Sequence, residues 1–177
     1  MVIRKAAAGE LEDIMRIYEE ARLFMRSCGN PTQWGDIHPR RGVIEADIEN
    51  GDLYVCTEEH TPDEILGVFF YKEYDEPTYR RIDGGAWPND EPYGVVHRLA
   101  GSRKAKGIGA ACLEWCERRC ANIRIDTHRD NAPMRRVLEK AGYSYCGIIY
   151  VANGSERLAF QKSASGSSGG ASETSSE

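Results

Sequence analysis

The residues best suited to chemistry lie in a cationic turn between an apolar strand, residues 95–99, and an amphipathic helix. Those that could bind a ligand are Arg103, Lys104, Lys106, Gly107 and Gly109. Free N–H groups at a helix N-terminus bind anions, glycines let the backbone approach a ligand closely, and nearby cations add attraction. The stretch therefore predicts a site for a diphosphate. The alternative is that the two glycines serve only the turn.

Two common phosphate motifs do not match this turn. A nucleoside-triphosphate loop has four residues between its glycines, followed by Lys and Ser or Thr, whereas one residue separates Gly107 from Gly109. A dinucleotide fingerprint has a third glycine three residues after the second, and that position is Cys112. A third pattern, Arg or Gln-x-x-Gly-x-Gly or Ala, marks the acetyl-coenzyme A site of the GCN5-related N-acetyltransferases. Residues 104–109 resemble it, with Lys104 in the first position.

Length and composition limit the class of protein. The chain has 177 residues, 41% of them hydrophobic, which suits one domain with a sizeable core. A net charge of −5 argues against general nucleic-acid binding. The sequence contains neither a membrane-length apolar run nor a signal peptide, which predicts a cytoplasmic protein. We expect the six cysteines to be reduced, with Cys112, Cys116 and Cys120 in the core rather than in a metal site.

The elements that must position the turn follow from periodicity and from glycine and proline positions. Strands are predicted at residues 2–6, 53–57, 65–74, 95–99, 122–127, 143–151 and 156–160, and helices at about 9–27, 41–49, 107–121 and 131–141. The order β-α-α-β-β-β-α-β-α-β-β predicts a mixed α/β fold with a mostly antiparallel sheet. The strands on either side of the third helix should be its parallel pair. Residues 1–162 form the predicted domain, and residues 163–177 form a disordered Ser/Gly-rich tail.

A second motif strengthens the resemblance. Residues 126–134 followed by residues 138–143 look like the second half of the N-acetyltransferase fold, where Asn131 opens a helix and a Gly-aromatic pair, Gly142-Tyr143, ends it. Two motifs in the right element order cover residues 1–162. The chain thus resembles the GCN5-related N-acetyltransferase (GNAT) family. This implies direct transfer of acetyl from acetyl-CoA to an amine in a ternary complex, with no metal.

The resemblance also implies where acetyl-CoA binds. In such enzymes two parallel strands splay apart, and the pantetheine arm occupies the gap. The positions that correspond to its backbone contacts are Leu99, Ala100 and Gly101, and those for the diphosphate are Lys104, Ala105, Lys106, Gly107, Ile108, Gly109 and Ala110. Asn131 would reach the pantetheine or the thiol end. The turn is shorter than usual, and Lys104 favours a point-charge contact over a bidentate one.

Catalysis needs a proton acceptor for the amine and a proton donor for the departing thiolate. Many family members use a Tyr as donor where this chain has Leu138. His97, on the strand beside the thioester position, is the candidate base, and strand alternation predicts that it shares a face with Leu99. The alternative for His97 is a core histidine that hydrogen-bonds across the sheet. Other possible donors are Tyr143, Tyr145 and Cys146.

Aromatic and imidazole side chains occupy the two segments that usually form the wall of the acceptor cleft. They are Trp34, His38, Tyr79 and Trp87. Such a wall suits a cation or a planar group, although loop aromatics also simply close small domains. Asp36, Asp75 and Glu76 could attract an amine, although carboxylates are expected anyway in a chain with a net charge of −5. Asp126, His128 and Asp130 could share a face as metal ligands, but we favour the interpretation that they orient the loop before Asn131.

Three functions remain open at this point. The first is the N-acetyltransferase, with a small-molecule or peptide amine as acceptor and with no nucleic-acid or membrane partner. The second is a non-catalytic acyl-CoA binding module, which the missing Tyr at Leu138 allows. The third is an unrelated α/β interaction domain. The oligomeric state is open, with a homodimer as one candidate.

Overall fold

A seven-stranded mixed sheet forms the centre of the protein, with strand order β1-β2-β3-β4-β5-β7-β6. The computed structural model describes residues 1–164. Its strands are β1 (Val2–Lys5), β2 (Leu53–Thr57), β3 (Gly67–Glu73), β4 (Gly94–Gly101), β5 (Asn122–Thr127), β6 (Ser144–Tyr150) and β7 (Glu156–Ser163). Its helices are α1 (Leu11–Ser27), α2 (Arg41–Glu49), α3 (Ile108–Glu117) and α4 (Ala132–Lys140).

The predicted element order and fold class are confirmed. All strand pairs are antiparallel except β4 and β5, which run parallel and are joined through α3. Both helices predicted from the first half are present, and the α2 bounds match the prediction. The long segment between β3 and β4 contains a single short 3₁₀ turn, Pro77–Tyr79.

The helices cover both faces of the sheet. On one face, α3 and α4 contribute Ile108, Cys112 and Leu138 to a buried cluster that also includes Val96. On the other face, Ile14 of α1 and Ile44 of α2 pack in a second cluster. All six cysteines are free, and Cys112 and Cys116 are fully buried as expected, whereas Cys120, beyond the end of α3, is only partly buried. The sheet is therefore a rigid support with a buried layer on each side.

A β-bulge interrupts β4 between His97 and Ala100. Val68 of β3 pairs with Ala100, and Phe70 pairs with His97. Two residues of β4, 98 and 99, therefore lie opposite the single residue 69 of β3. The backbone accommodates the extra residue at Arg98, which has a φ of 52°. That value is uncommon for a residue with a side chain, and such outliers concentrate at functional sites.

The bulge overturns one prediction. His97 and Leu99 do not share a face: Leu99 packs against the cluster under α3 and α4, whereas the His97 ring stacks on Phe70 on the opposite face, with 5.8 Å between ring centroids. Simple alternation would place residues two apart on the same side. The additional residue at Arg98 reverses that relation.

The domain extends slightly beyond its predicted end at residue 162. β7 continues to Ser163, and the Ala164 N–H donates to the carbonyl of Ala121. The predicted disordered tail otherwise falls on residues 165–177, outside the described residues. Within residues 1–164, none of the helices is long and apolar enough to cross a membrane.

Candidate active site

The parallel strands β4 and β5 separate halfway along their length. Their pairing runs from Gly94 opposite Ile123 to Val96 opposite Ile125, and it ends there. β4 continues to Gly101 and β5 to Thr127. Backbone groups on the facing edges are then available to a ligand, because an extended molecule can add to an open strand edge.

A cleft of about 740 Å³ opens where the strands part. This volume is within the usual range of small-molecule sites. Eight of the residues predicted for the site line it: Trp34, His38, His97, Leu99, Ala100, Gly101, Gly109 and Asn131. The structure thus brings together the predicted base, part of the predicted cofactor site and half of the predicted acceptor wall.

Tyr79 and Trp87 lie behind this wall and not in it, contrary to the prediction. Tyr79 is only 1% exposed, and its hydroxyl donates to Asp126 Oδ1 at 2.8 Å. Trp87 packs on Tyr79, with ring centroids 5.2 Å apart, and donates to the Tyr79 carbonyl. Loop composition alone did not distinguish a wall residue from the residue that supports it.

The cationic turn presents free amide groups at the start of α3. Gly107 has a left-handed φ of 80°, and the first helical hydrogen bond runs from Ala111 N–H to the Gly107 carbonyl. The N–H groups of Ile108, Gly109 and Ala110 have no acceptor within residues 1–164. Such a helix start is a ready anion site. The side chain of Ile108 is buried, so only its backbone is available for binding.

The charged side chains of the turn are arranged differently from the prediction. Lys104 Nζ donates to Glu64 Oε1 at 2.6 Å, and this ion pair raises the pKa of Lys104. The Arg103 guanidinium stacks over Phe24 of α1, 5.3 Å from the ring centroid. Lys104 is therefore already paired with Glu64, whereas Arg103 and Lys106 form no ion pair within residues 1–164.

His97 lies between two carboxylates in the cleft. Its Nε2 is 3.2 Å from Glu76 Oε2, and its Nδ1 is 3.6 Å from Asp126 Oδ1. The His97 side chain keeps 21% of its surface exposed. Glu76 follows β3, and Asp126 comes from β5 beside the end of the β4–β5 pairing. An imidazole with one carboxylate on each side is the arrangement of a positioned proton acceptor.

Glu76 is held in its ionised form. Burial opposes ionisation of this 8% exposed residue, but hydrogen bonds from His97, Tyr74 and Thr78 outweigh burial and lower the pKa of Glu76 to about 2. Both the N–H and the hydroxyl of Thr78 donate to Oε1. A carboxylate with several donors is stabilised as the anion, so Glu76 can only accept the hydrogen on His97 Nε2.

Two tyrosines complete this group as donors. Burial, and then the Asp126 charge, raise the pKa of Tyr79 well above its usual range. Burial and the hydrogen bond to Glu76 likewise raise the pKa of Tyr74. Both hydroxyls therefore stay protonated, and they donate to Asp126 and Glu76 respectively. The carboxylates are fixed by these donors before any substrate arrives.

Replacing Glu76 with glutamine should remove part of the acid sensitivity of folding. Because the folded-state pKa of about 2 is below the unfolded value of 4.5, the ionised group stabilises the protein above about pH 4.5. That contribution is lost as the pH falls towards 2. Between about pH 6 and pH 3.5, wild type should lose roughly 1 kcal/mol more than Glu76→Gln. Urea unfolding at the two pH values measures this difference, and parallel losses in the two proteins would contradict the assignment.

Arg98 forms the floor of the cleft beside His97. Its guanidinium donates to Asp47 Oδ2 at 2.5 Å and stacks over Phe70, and its carbonyl accepts the buried Tyr18 hydroxyl at 3.0 Å. These contacts from α1 and α2 fix the strained residue of the bulge. Trp34 packs edge-on against Tyr18, which places the acceptor wall directly above this floor.

Comparison with known proteins places this arrangement in a family. The sequence profile of the Acetyltransferase (GNAT) family matches residues 11–143. The chain belongs to the GNAT acetyltransferase family. No curated protein sequence matches the chain significantly.

Solved structures support the same placement. A GNAT-family acetyltransferase from Streptococcus agalactiae is 32% identical, with a TM-score of 0.82 over 92% of this chain and 94% of that one. A GNAT-family acetyltransferase from Listeria monocytogenes is 20% identical, with a TM-score of 0.67 over 92% and 94%. The protein yncA from Salmonella typhimurium, solved with its cofactor acetyl-CoA, is 17% identical, with a TM-score of 0.58 over 92% of both chains. The last two likenesses concern the fold alone.

The residues of the gap fit the acetyl-CoA that the GNAT family uses. Free amides open α3, the strand edges beyond Val96 and Ile125 are separated, and Gly109 keeps the passage open. A Cβ at Gly109 would lie 3.3 Å from Val137 of α4 and 3.7 Å from Leu99 of β4. Glycine therefore preserves the space between the two elements that border the gap.

Asn131 caps α4, as the sequence predicted. Its Oδ1 accepts the Met134 N–H at 3.2 Å, and its Nδ2 donates to Gln33 Oε1 at 3.0 Å. Gln33 also accepts from Asn30 and precedes Trp34 of the acceptor wall. Both polar atoms of Asn131 are thus engaged within the chain, and they join the start of α4 to the loop before α2.

Removing the side chain of Asn131 should cost stability. Loss of a helix N-cap typically costs about 1 kcal/mol, and Asn131→Ala also leaves Gln33 without one of its donors. Asn131→Asp is the matched control, because it keeps the cap and loses only the amide donor. Urea unfolding should rank wild type, Asn131→Asp and Asn131→Ala in decreasing stability. Equal stability of wild type and Asn131→Ala would show that the cap contributes nothing.

The position of the family tyrosine offers no proton. Leu138 is fully buried in the cluster under α3 and α4. The other donors considered from sequence also have structural surroundings: Tyr143 and Cys146 are buried in two different clusters, and Tyr145 is 53% exposed and packs on Phe160. None of these four side chains lines the cleft.

Asp126, near the end of β5, and His128, in the loop that follows, turn in different directions and do not converge as metal ligands would. Asp126 turns towards Tyr79 and His97, whereas His128 accepts the Asp130 N–H on its own loop at 3.2 Å. The favoured interpretation, that this loop is oriented before Asn131, agrees with these contacts. The sequence offered Glu76 only as a carboxylate that could attract an amine, and no signal in the sequence placed it beside His97.

Proposed function

We propose that this protein transfers an acetyl group from acetyl-CoA to a primary amine, by direct attack within a ternary complex. The observation that carries the proposal is the His97 ring between Glu76 and Asp126, in a cleft that begins where β4 and β5 separate. Membership of the GNAT family supports acetyl transfer. The amine acceptor, a small molecule or a peptide, is part of the proposal, as is a cytoplasmic location.

His97 is the proposed proton acceptor. Because ionised Glu76 can only accept, the hydrogen of a neutral His97 is on Nε2, and Nδ1 presents its lone pair. An ammonium group beside His97 would donate one hydrogen to Nδ1 and one to Asp126, whose Oδ1 is 3.6 Å from that nitrogen. Transfer of the proton to Nδ1 leaves the neutral amine that attack on a carbonyl requires.

The backbone around the bulge is the proposed cofactor site. Acetyl-CoA, when bound, supplies the acetyl group as a thioester. Leu99, Ala100 and Gly101 would hold its pantetheine arm, and a backbone N–H there would polarise the thioester carbonyl. The amides of residues 104–110 would bind its diphosphate, most directly the three free amides that open α3. Trp34 and His38 would contact the acceptor.

Release of the coenzyme A thiol with a panel of primary amines tests the proposal. We expect release that depends on the amine, with the free thiol and the acetylated amine formed in equal amounts. The principal alternative is a non-catalytic acyl-CoA binding module, because Leu138 replaces the usual tyrosine. Thermal stabilisation by acetyl-CoA with no thiol release from any amine would favour that module.

A further inference from the structure

One cation in the cleft lacks an ion-pair partner among the residues that the structure describes. Arg157, near the start of β7, lines the cleft and is partly buried. Its Nη1 donates to the Glu156 carbonyl at 2.9 Å and its Nη2 to the Gln33 carbonyl at 3.4 Å. Within residues 1–164 it forms no ion pair. Arg98, by contrast, pairs with Asp47 at 2.5 Å. Arg157 thus retains its full charge and several unused N–H donors.

Arg157 is on the same face of the sheet as the proposed catalytic group. Asp126 of β5 pairs with Ala159 of β7, and Arg157 is two residues before Ala159. Residues two apart on a strand share a face, about 7 Å from each other. Arg157 is therefore close to Asp126, on the side towards the C-terminal end of β5. A small acceptor could contact both groups.

Negative and positive side chains lie in different parts of the cleft. Glu76 and Asp126 flank His97 at one end. At the other end, partial desolvation and the charges of Arg98, Arg157 and Arg22 lower the pKa of His38. Burial also lowers the pKa of Arg157 itself, and Asp126 partly offsets this effect. Asp126 forms no direct ion pair with Arg157, so the carboxylate of a ligand would supply the counter-charge that a half-buried guanidinium needs.

We propose that the acceptor is an amino acid, whose ammonium group binds beside His97 and Asp126 and whose carboxylate pairs with Arg157. The inference rests on the proposed N-acetyltransferase function and specifies its substrate class. The planar guanidinium fork matches a carboxylate in bidentate geometry, and such charge-assisted pairs are strong and directional. Arg157 is then the residue that selects acids over otherwise identical neutral amines.

The test compares each standard L-amino acid with its carboxamide, using the full chain with saturating acetyl-CoA. For the preferred amino acid, kcat/KM should exceed that of the amide by roughly 10- to 100-fold. Arg157→Gln should remove this preference by lowering kcat/KM for the acid and leaving that for the amide nearly unchanged. Arg157→Lys, which keeps the charge, should restore part of it. Arg129→Gln, an exposed arginine that pairs with Glu156, is the control.

The possible failures are distinguishable. Equal rates for acids and amides in wild type would overturn the amino-acid inference and leave the N-acetyltransferase proposal standing. An equal loss for acid and amide in Arg157→Gln would overturn the role of Arg157. If acetyl-CoA stabilises the protein against heat but no amine of either kind is acetylated, the proposed function itself fails, and the inference fails with it.

Discussion

Replacing His97 with alanine should lower kcat by about 100- to 10,000-fold, the usual contribution of a positioned general base. The imidazole lies between Glu76 and Asp126, and no other basic side chain of residues 1–164 contacts both carboxylates. Affinity for acetyl-CoA should change little, because the proposed contacts to it come from the backbone beyond the bulge. Steady-state kinetics and calorimetric binding of acetyl-CoA measure the two quantities separately.

His128→Ala is the matched control for this prediction. It removes the same side chain from the loop after β5, where His128 contacts Asp130 and not the carboxylates beside His97. We expect its kcat to remain close to wild type. If His97→Ala weakens acetyl-CoA binding as much as it lowers turnover, His97 has a structural role, which is the alternative that the sequence left open.

Replacing Gly109 with tryptophan should abolish acetyl-CoA binding. A side chain at this position enters the space between Leu99 of β4 and Val137 of α4, where even a Cβ would have close contacts. In wild type, acetyl-CoA at about 100 times its dissociation constant should raise the unfolding midpoint by about 5–11 °C. Gly109→Trp should show no such shift. Gly42→Trp, at an exposed helical position with open space around it, should keep the full shift.

A second variant tests the contribution of the free amides to acetyl-CoA binding without changing the shape of the gap. Ala110→Pro removes one of the free N–H groups in the first turn of α3, and it breaks no helical hydrogen bond because that N–H has no helical acceptor. Loss of one hydrogen bond to a charged group should weaken acetyl-CoA binding by roughly 10- to 100-fold. Unchanged affinity in both Gly109→Trp and Ala110→Pro would show that the turn at residues 104–110 does not bind acetyl-CoA.

The sequence was sufficient for the fold because its local signals agree. Apolar spacing defined α1 and α2, Gly142 marked the end of α4, and the helix between residues 95–99 and 122–127 required the parallel pair. Asn131 was recognisable as a cap from its position before Pro133. Each of these inferences depends on residues close together in the chain, where propensity and periodicity are informative.

The site was only partly predictable because its geometry depends on long-range contacts. Strand alternation placed His97 and Leu99 together, but the bulge at Arg98 separates them, and it is held in place by Tyr18 and Asp47 from distant helices. Glu76 comes from an irregular loop whose course no periodicity predicts. Lys104 carries the charge expected of a phosphate ligand, but Glu64, forty residues earlier, already neutralises it.

The acceptor wall shows the same limit. Trp34 and Tyr79 are both loop aromatics, and only the packed structure distinguishes the residue in the cleft from the one that supports Asp126. Arg157 follows a hairpin turn and resembles an ordinary strand residue in sequence. Its significance arises from the pairing register of β5 with β7 and from the lack of a counter-ion among residues 1–164.

The most direct test of the central claim is mass spectrometry of a reaction with acetyl-CoA labelled in its acetyl group. If transfer is direct, the label appears on the nitrogen of the amine, in an amount equal to the free coenzyme A. The mass of the protein should remain unchanged throughout, because transfer is direct. Label retained on acetyl-CoA with every amine, or label trapped on the protein as an obligatory intermediate, would contradict it.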